Sequence, residues 1–167
     1  MATRSGETVE QRGGRMRDAL PIGRHPRSGG KASPILEGVQ DEWSIYVTDE
    51  VDAWISSLDP VRHRLVIDAL DRLAENGPAL GRPLVGKVNG SRITNLKELR
   101  PRSSGRSALR LLFAFDPRRD AIILVAADKM KANPRDPNRW YEEAIPHAER
   151  LYDIYLKERA EEEGQNQ

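Results

Sequence analysis

Ser107-Ala108-Leu109-Arg110-Leu111-Leu112-Phe113-Ala114-Phe115-Asp116 is the stretch on which the fold class turns. Read with a period of two, it sets Leu109, Leu111, Phe113 and Phe115 on one face and Ala108, Arg110, Leu112 and Ala114 on the other. That is a strand, apolar except where Arg110 interrupts it. The neighbouring runs Ile93 to Arg100 and Ala121 to Ala127 are also short and rich in β-forming residues. Ser103-Ser104-Gly105 and Asp116-Pro117-Arg118-Arg119-Asp120 join the three, so two hairpins in series predict a meander.

Toward the N-terminus, Trp43, Ile45 and Val47 alternate with Ser44, Tyr46 and Thr48 as a first strand. Asp49 is placed to cap a short helix carrying Val51, Trp54, Ile55 and Leu58. Pro60 opens a second helix whose stripe of Val61, Leu65, Ala69, Leu70 and Leu73 stops at Asn76-Gly77-Pro78, giving a helical hairpin. Ala79 to Asn89 reads as irregular, with Lys87-Val88-Asn89-Gly90 as a turn. Beyond the meander, Trp140, Ala144, Ala148, Leu151, Tyr152, Tyr155 and Leu156 recur at helical spacing, and Pro146 either kinks that helix or opens another. The expected order is β-α-α-β-β-β-α. This is an α+β fold in which a small, antiparallel-rich sheet packs on the helical hairpin and a C-terminal helix follows.

The 167 residues, 38% of them hydrophobic, suit one domain. Its expected span is 42–160. Residues 1–41, with Gly13, Gly14, Gly29 and Gly30 and no apolar periodicity, and residues 161–167 read as disordered tails. Met16 is an alternative start. Arg12, Arg15, Arg17, Arg24 and Arg27 form either a solvated tail or a basic arm for RNA. The lack of cysteine excludes disulfides, thiolate metal sites and a thiol nucleophile. No apolar run approaches the roughly 20 residues of a membrane span, and the N-terminus has no signal-peptide pattern, so a cytoplasmic protein is expected.

The net charge of +1 conceals a segregation. Residues 92–135 carry 11 Lys/Arg against 4 Asp/Glu, a balance of +7, whereas residues 136–167 carry 4 against 9, a balance of −5. An arginine inside an apolar strand needs a carboxylate or a wet, concave surface. Glu98 and Arg100 share one face of the preceding strand, so Arg110 either pairs with Glu98 or binds an anion. Lys97, Arg102, Arg106, Lys129 and Lys131 add cations around one edge and end of the sheet. Guanidinium forks with lysine point charges suit a phosphate backbone. Trp140 either stacks on a base or packs in the core, and Tyr141 points to a different face.

The runs Asn95 to Pro101, Gly105 to Phe115, Ile123 to Lys129, Asn138 to Pro146 and Ala148 to Tyr152 resemble the phage-derived Gp49-like branch of the RelE/HigB toxins. The resemblance spans roughly Trp43 to Leu156. It implies the toxin of a type II toxin–antitoxin pair: a metal-independent endoribonuclease, without cofactor, that cuts messenger RNA on the ribosome. A HigA-like helix-turn-helix antitoxin would silence it. Carried over by motif, Arg100 and Arg110, then Arg106 and Lys129, would stabilise the phosphorane; Lys97, Arg102 and Lys131 by charge, and Trp140 by its aromatic face, are the candidates for contacting RNA. Family members often place a histidine or a tyrosine near the end of the sheet or in the C-terminal segment, but here the last strand ends Ala126-Ala127-Asp128-Lys129, without a histidine. Glu98 or Asp128 would then be the base and Tyr141 or Lys129 the acid. A ParE-like toxin that binds DNA gyrase, or an inactive relative that keeps only the antitoxin surface, is the competing reading. His25, His63 and His147 have no partners at metal-ligand spacing.

Overall fold

The computed structural model describes residues 42–103 and 105–167. The expected tail over 1–41, with Arg12, Arg15, Arg17, Arg24, Arg27 and Met16, lies outside the described residues.

The first strand, β1 (Ser44–Val47), turns Ile45 and Val47 inward. The cap that follows is Thr48, one residue before the expected Asp49. Thr48 has extended backbone, and its hydroxyl oxygen accepts the Val51 N–H at 3.4 Å while the hydroxyl donates to the Leu124 carbonyl at 3.0 Å. One side chain therefore caps a helix and ties it to the sheet, which Asp49 could not do without burying a charge. Asp49 is instead the first residue of α1 (Asp49–Ser57), where it, Glu50 and Asp52 complement the positive end of the helix.

Asp59 caps α2 (Pro60–Asn76) by accepting the Arg62 N–H at 3.0 Å, with Pro60 in the first turn as expected. The helix ends at Gly77, with φ of 54°. A Cβ there would stand 2.2 Å from the Trp43 indole nitrogen, so glycine both turns the chain and admits the ring.

A strand then appears where irregular chain was expected. It is β2 (Val85–Lys87), followed by β3 (Lys97–Leu99), β4 (Leu109–Phe115) and β5 (Asp120–Asp128). At three residues, β2 is too short for alternation to reveal it. The sheet order is β1-β5-β4-β3-β2, with β1 parallel to β5 and every other pair antiparallel, so the sheet is mixed and the meander has four strands. A short α3 (Lys129–Ala132) precedes α4 (Trp140–Gln165), which runs on through Pro146. The two added elements, β2 and α3, lengthen the expected order.

Leu109, Leu111 and Phe113 pack with Val51, Ile55, Val66, Leu70 and Leu73 of the hairpin. Leu112, Ala114, Ile122 and Leu124 pack with Ala144, Ala148 and Tyr155 of α4. Helices thus cover both faces. Across β4 and β5, Leu112 faces Val125 but Phe113 faces Ile123, so Leu124 is an extra residue and both Leu124 and Val125 join the α4 layer. Each fully buried Leu, Ile or Phe contributes about 1.5–3 kcal/mol. These two layers supply the apolar burial on either face of the hydrogen-bonded sheet.

Polar ties then fix α4 along the sheet. The Tyr155 hydroxyl donates to Asp116 at 2.6 Å, and Arg159 pairs with Asp120 at 2.5 Å. Nearer its start, His147 meets Glu50 at 2.9 Å and Ser91 donates to Glu149 at 2.9 Å. The first turns of α4 are thereby held over the far end of the sheet.

Candidate functional site

At that end, a cleft of about 490 Å³ opens between the β2–β3 edge, the start of β4 and the first turns of α4. Lys87, Val88 and Asn89 come from β2 and the turn after it. Glu98 and Arg100 come from β3 and its exit, Arg110 from β4, Lys129 from α3, Asn138 from the following turn, and Tyr141 and Ile145 from α4.

Glu98 lies at the centre and is only 3% exposed. Arg100 donates to its Oε1 through Nε at 2.6 Å and Nη2 at 2.5 Å. The Tyr141 hydroxyl donates to its Oε2 at 2.6 Å. A buried carboxylate is tolerated only when both oxygens are engaged in this way. The i, i+2 relation that puts Glu98 and Arg100 on one face of β3 therefore becomes a bond between them. The alternative expectation, a Glu98–Arg110 ion pair, is not met. Glu98 sits opposite Leu112 and Arg110 opposite Ala127, two positions further along, and the Arg110 Nη1 instead donates to the Leu109 carbonyl at 2.9 Å. Among the described residues, nothing hydrogen-bonds the buried Arg110 Nε. The Arg110 side chain nevertheless lines the cleft.

Lys129 closes the cleft. Its Nζ donates to the Asn138 side chain at 2.9 Å and lies 5.3 Å from the centre of the Tyr141 ring. Burial, with the adjacent Arg110 and Arg100 charges, lowers its pKa below the usual lysine value, and Glu98 only partly opposes this. Tyr141 moves the other way. Burial and its hydrogen bond to Glu98 push its pKa up to about 12, so at neutral pH it is firmly a donor. The cleft holds four cations, Lys87, Arg100, Arg110 and Lys129, against the single carboxylate of Glu98. It can bind an anion and move protons beside it.

Not every candidate converges. Lys97 alternates with Glu98 and so lies on the hairpin face, 5.5 Å from the Phe115 ring. Arg102 and Arg106 are exposed on the β3–β4 connection, and Lys131 is exposed on α3. Trp140 packs against the α4-side core and meets Tyr141 edge-on at 5.1 Å. Asp128 accepts the Ala108 N–H at 3.0 Å and the Met130 N–H at 3.1 Å, capping α3 outside the cleft lining, so it is not placed to act as a base there. Lys87 and Asn138 line the cleft without having been singled out. Both stand in short segments whose residue types signal only turns.

Residues 53–153 match the family described as phage derived protein Gp49-like (DUF891). Two Mycobacterium tuberculosis proteins described as candidate toxins are similar in sequence. HigB2 is 46% identical over 108 residues, which is 65% of this chain and 52% of HigB2. HigB3 is 39% identical over 113 residues, 68% of this chain and 93% of HigB3. The chain thus spans about half the length of one relative and nearly all of the other. No solved structure matches. Among the described residues, no helix is long and apolar enough to cross a membrane.

Proposed function

The chain belongs to the phage-derived Gp49-like family, and from that premise we propose that it is the toxin of a toxin–antitoxin pair and acts by cutting messenger RNA. The observation that carries this reading is the convergence of Lys87, Arg100, Arg110 and Lys129 on one cleft around a buried, fully engaged carboxylate. The names of the two mycobacterial relatives support the toxin half of it.

The chemistry follows from the protonation states. Arg100 and Arg110 hold the non-bridging phosphate oxygens and stabilise the extra negative charge of the phosphorane. Glu98 is too buried to meet a ribose hydroxyl directly, but Tyr141 bridges the gap. As the 2′-oxygen attacks phosphorus, its proton passes to the Tyr141 oxygen while Tyr141 gives its own to Glu98. The bond from phosphorus to the 5′-oxygen breaks as Lys129 donates a proton to that oxygen. The products are a 2′,3′-cyclic phosphate and a 5′-hydroxyl. No step requires a metal ion or a histidine.

Arg106, carried over by resemblance as a phosphate ligand, does not line the cleft. With Arg102 and Lys131 it is better suited to the flanking RNA or the ribosome. A helix-turn-helix antitoxin that covers the cleft would neutralise the toxin. The test is cleavage of a message in a translating extract, with end-group analysis of the fragments and gyrase supercoiling measured in parallel. Cyclic-phosphate ends support the reading. Intact message with inhibited gyrase overturns it.

A further inference from the structure

Gly86 faces Glu98 directly across β2 and β3. A Cβ on Gly86 would stand 2.6 Å from Nη2, 2.8 Å from Cζ and 3.1 Å from Nε of Arg100. All three nearest atoms thus belong to one guanidinium. Its φ lies outside the left-handed region, so the backbone itself does not call for glycine. The Arg100 head therefore lies flat over bare main chain, and that close approach lets Nε and Nη2 reach Glu98.

We propose that Gly86 is a positioning residue: the missing side chain on β2 sets where the Arg100 guanidinium stands in the cleft. Any Cβ at this position requires something to move. Arg100 is flexible and partly exposed, whereas β2 is held in the ladder, so the guanidinium gives way and the strand stays. Gly77 is the contrast, because there the obstructing group is the rigid indole of Trp43. The inference rests on reading the cleft as a phosphate site only for its effect on binding, since the contact between Gly86 and Arg100 stands without it.

The experiment compares wild type, Gly86→Ala, Arg100→Ala and the double variant in three measurements. One is affinity for a single-stranded DNA oligonucleotide, which offers phosphates but no 2′-hydroxyl. The second is the Arg100 Nε–H signal by NMR, and the third is the thermal midpoint. Gly86→Ala is expected to weaken binding about tenfold, the scale of one charge-assisted hydrogen bond. It should also shift the Nε–H signal and speed its exchange, and lower the midpoint by no more than Arg100→Ala does. In the Arg100→Ala background, Gly86→Ala should have no further effect. An unmoved Nε–H signal overturns the proposal, as does a further tenfold loss in the double variant. If Gly86→Ala fails to fold, the double variant decides. Folding restored by removing Arg100 upholds the contact, and a double variant that also fails shows that the strand itself needs glycine. A wild type that neither binds the oligonucleotide nor cuts RNA overturns the reading of the cleft, while the Nε–H signal still tests Gly86.

Discussion

Tyr141, on the first turn of α4, reaches across to β3 and donates its hydroxyl proton to Glu98 at 2.6 Å. That bond joins the C-terminal helix to the sheet at the base of the cleft, and it gives the carboxylate its second donor beside Arg100.

Removing it has a stability cost and a catalytic cost. Tyr141→Phe leaves Oε2 of a buried carboxylate without its donor, which costs about 1.5–3 kcal/mol for a hydrogen bond to a charged group. It also breaks the proton relay, so cleavage should fall about 100-fold or more. Urea unfolding and single-turnover cleavage measure the two separately. Loss of stability with full activity would remove Tyr141 from the proton path.

Burial of Tyr141, together with the same bond, makes stability depend on pH in the alkaline range. The Tyr141 pKa is raised from 10.0 in the free side chain to about 12 in the folded protein. Its contribution is therefore fully present below about pH 10 and is lost as pH rises toward 12. Tyr155 and Tyr152 are raised as well, so the readout is the difference between wild type and Tyr141→Phe. The gap between their stabilities should narrow between pH 10 and 12, and a constant gap would contradict the assignment.

Arg100 and Arg110 should separate under alanine substitution. Arg100→Ala strips the guanidinium from buried Glu98. The arginine is partly exposed, so the cost is about 1–3 kcal/mol, below that of a fully buried pair. Among the described residues Arg110 has no carboxylate partner, so Arg110→Ala should change stability by less than about 1 kcal/mol while reducing cleavage about 100-fold. Adding Glu98→Gln should recover part of the stability lost by Arg100→Ala and do nothing for Arg110→Ala. Paired denaturant curves check this. An Arg110 variant that unfolds early and is rescued by Glu98→Gln would show that it is structural.

Lys129 should set the alkaline limb of activity. A depressed lysine pKa means that the folded state binds this proton less tightly than the unfolded chain. The charged form therefore weakens folding at neutral pH, and stability recovers as pH rises toward the ordinary 10.5. Lys129→Met should be slightly more stable than wild type at pH 7 and should cleave about 100-fold more slowly. In wild type, kcat/KM should decline with pH below the usual lysine range. A limb unchanged in Lys129→Met would assign proton donation elsewhere.

Periodicity carried much of the architecture. The apolar faces of residues 107–116 are those that pack on the hairpin and on α4, and Pro60 and Gly77 mark the limits of the second helix. What escaped has a physical reason in each case. Val85–Lys87 is too short to show alternation, and its ladder depends on β3, which lies later in the chain. The parallel pairing of β1 with β5 is a long-range choice that no local pattern records. Lys97 could have been placed correctly, because the alternation that unites Glu98 with Arg100 already puts it on the opposite face. The partner of Glu98 could not, because the offset between Glu98 and Arg110 is set by strand register.

The parallel pair also dictates a timetable. Thr48 is fastened to Leu124, 76 positions later, and β5 is the strand that joins β1 to the rest of the sheet. The apolar stripe of the helical hairpin therefore waits for its permanent partner until β4 and β5 have been synthesised, and contacts so distant in sequence form slowly. Lys129, Asn138 and Tyr141 come later still. A growing chain has no assembled cleft, so each copy acquires its cationic pocket only after residue 141 has been added.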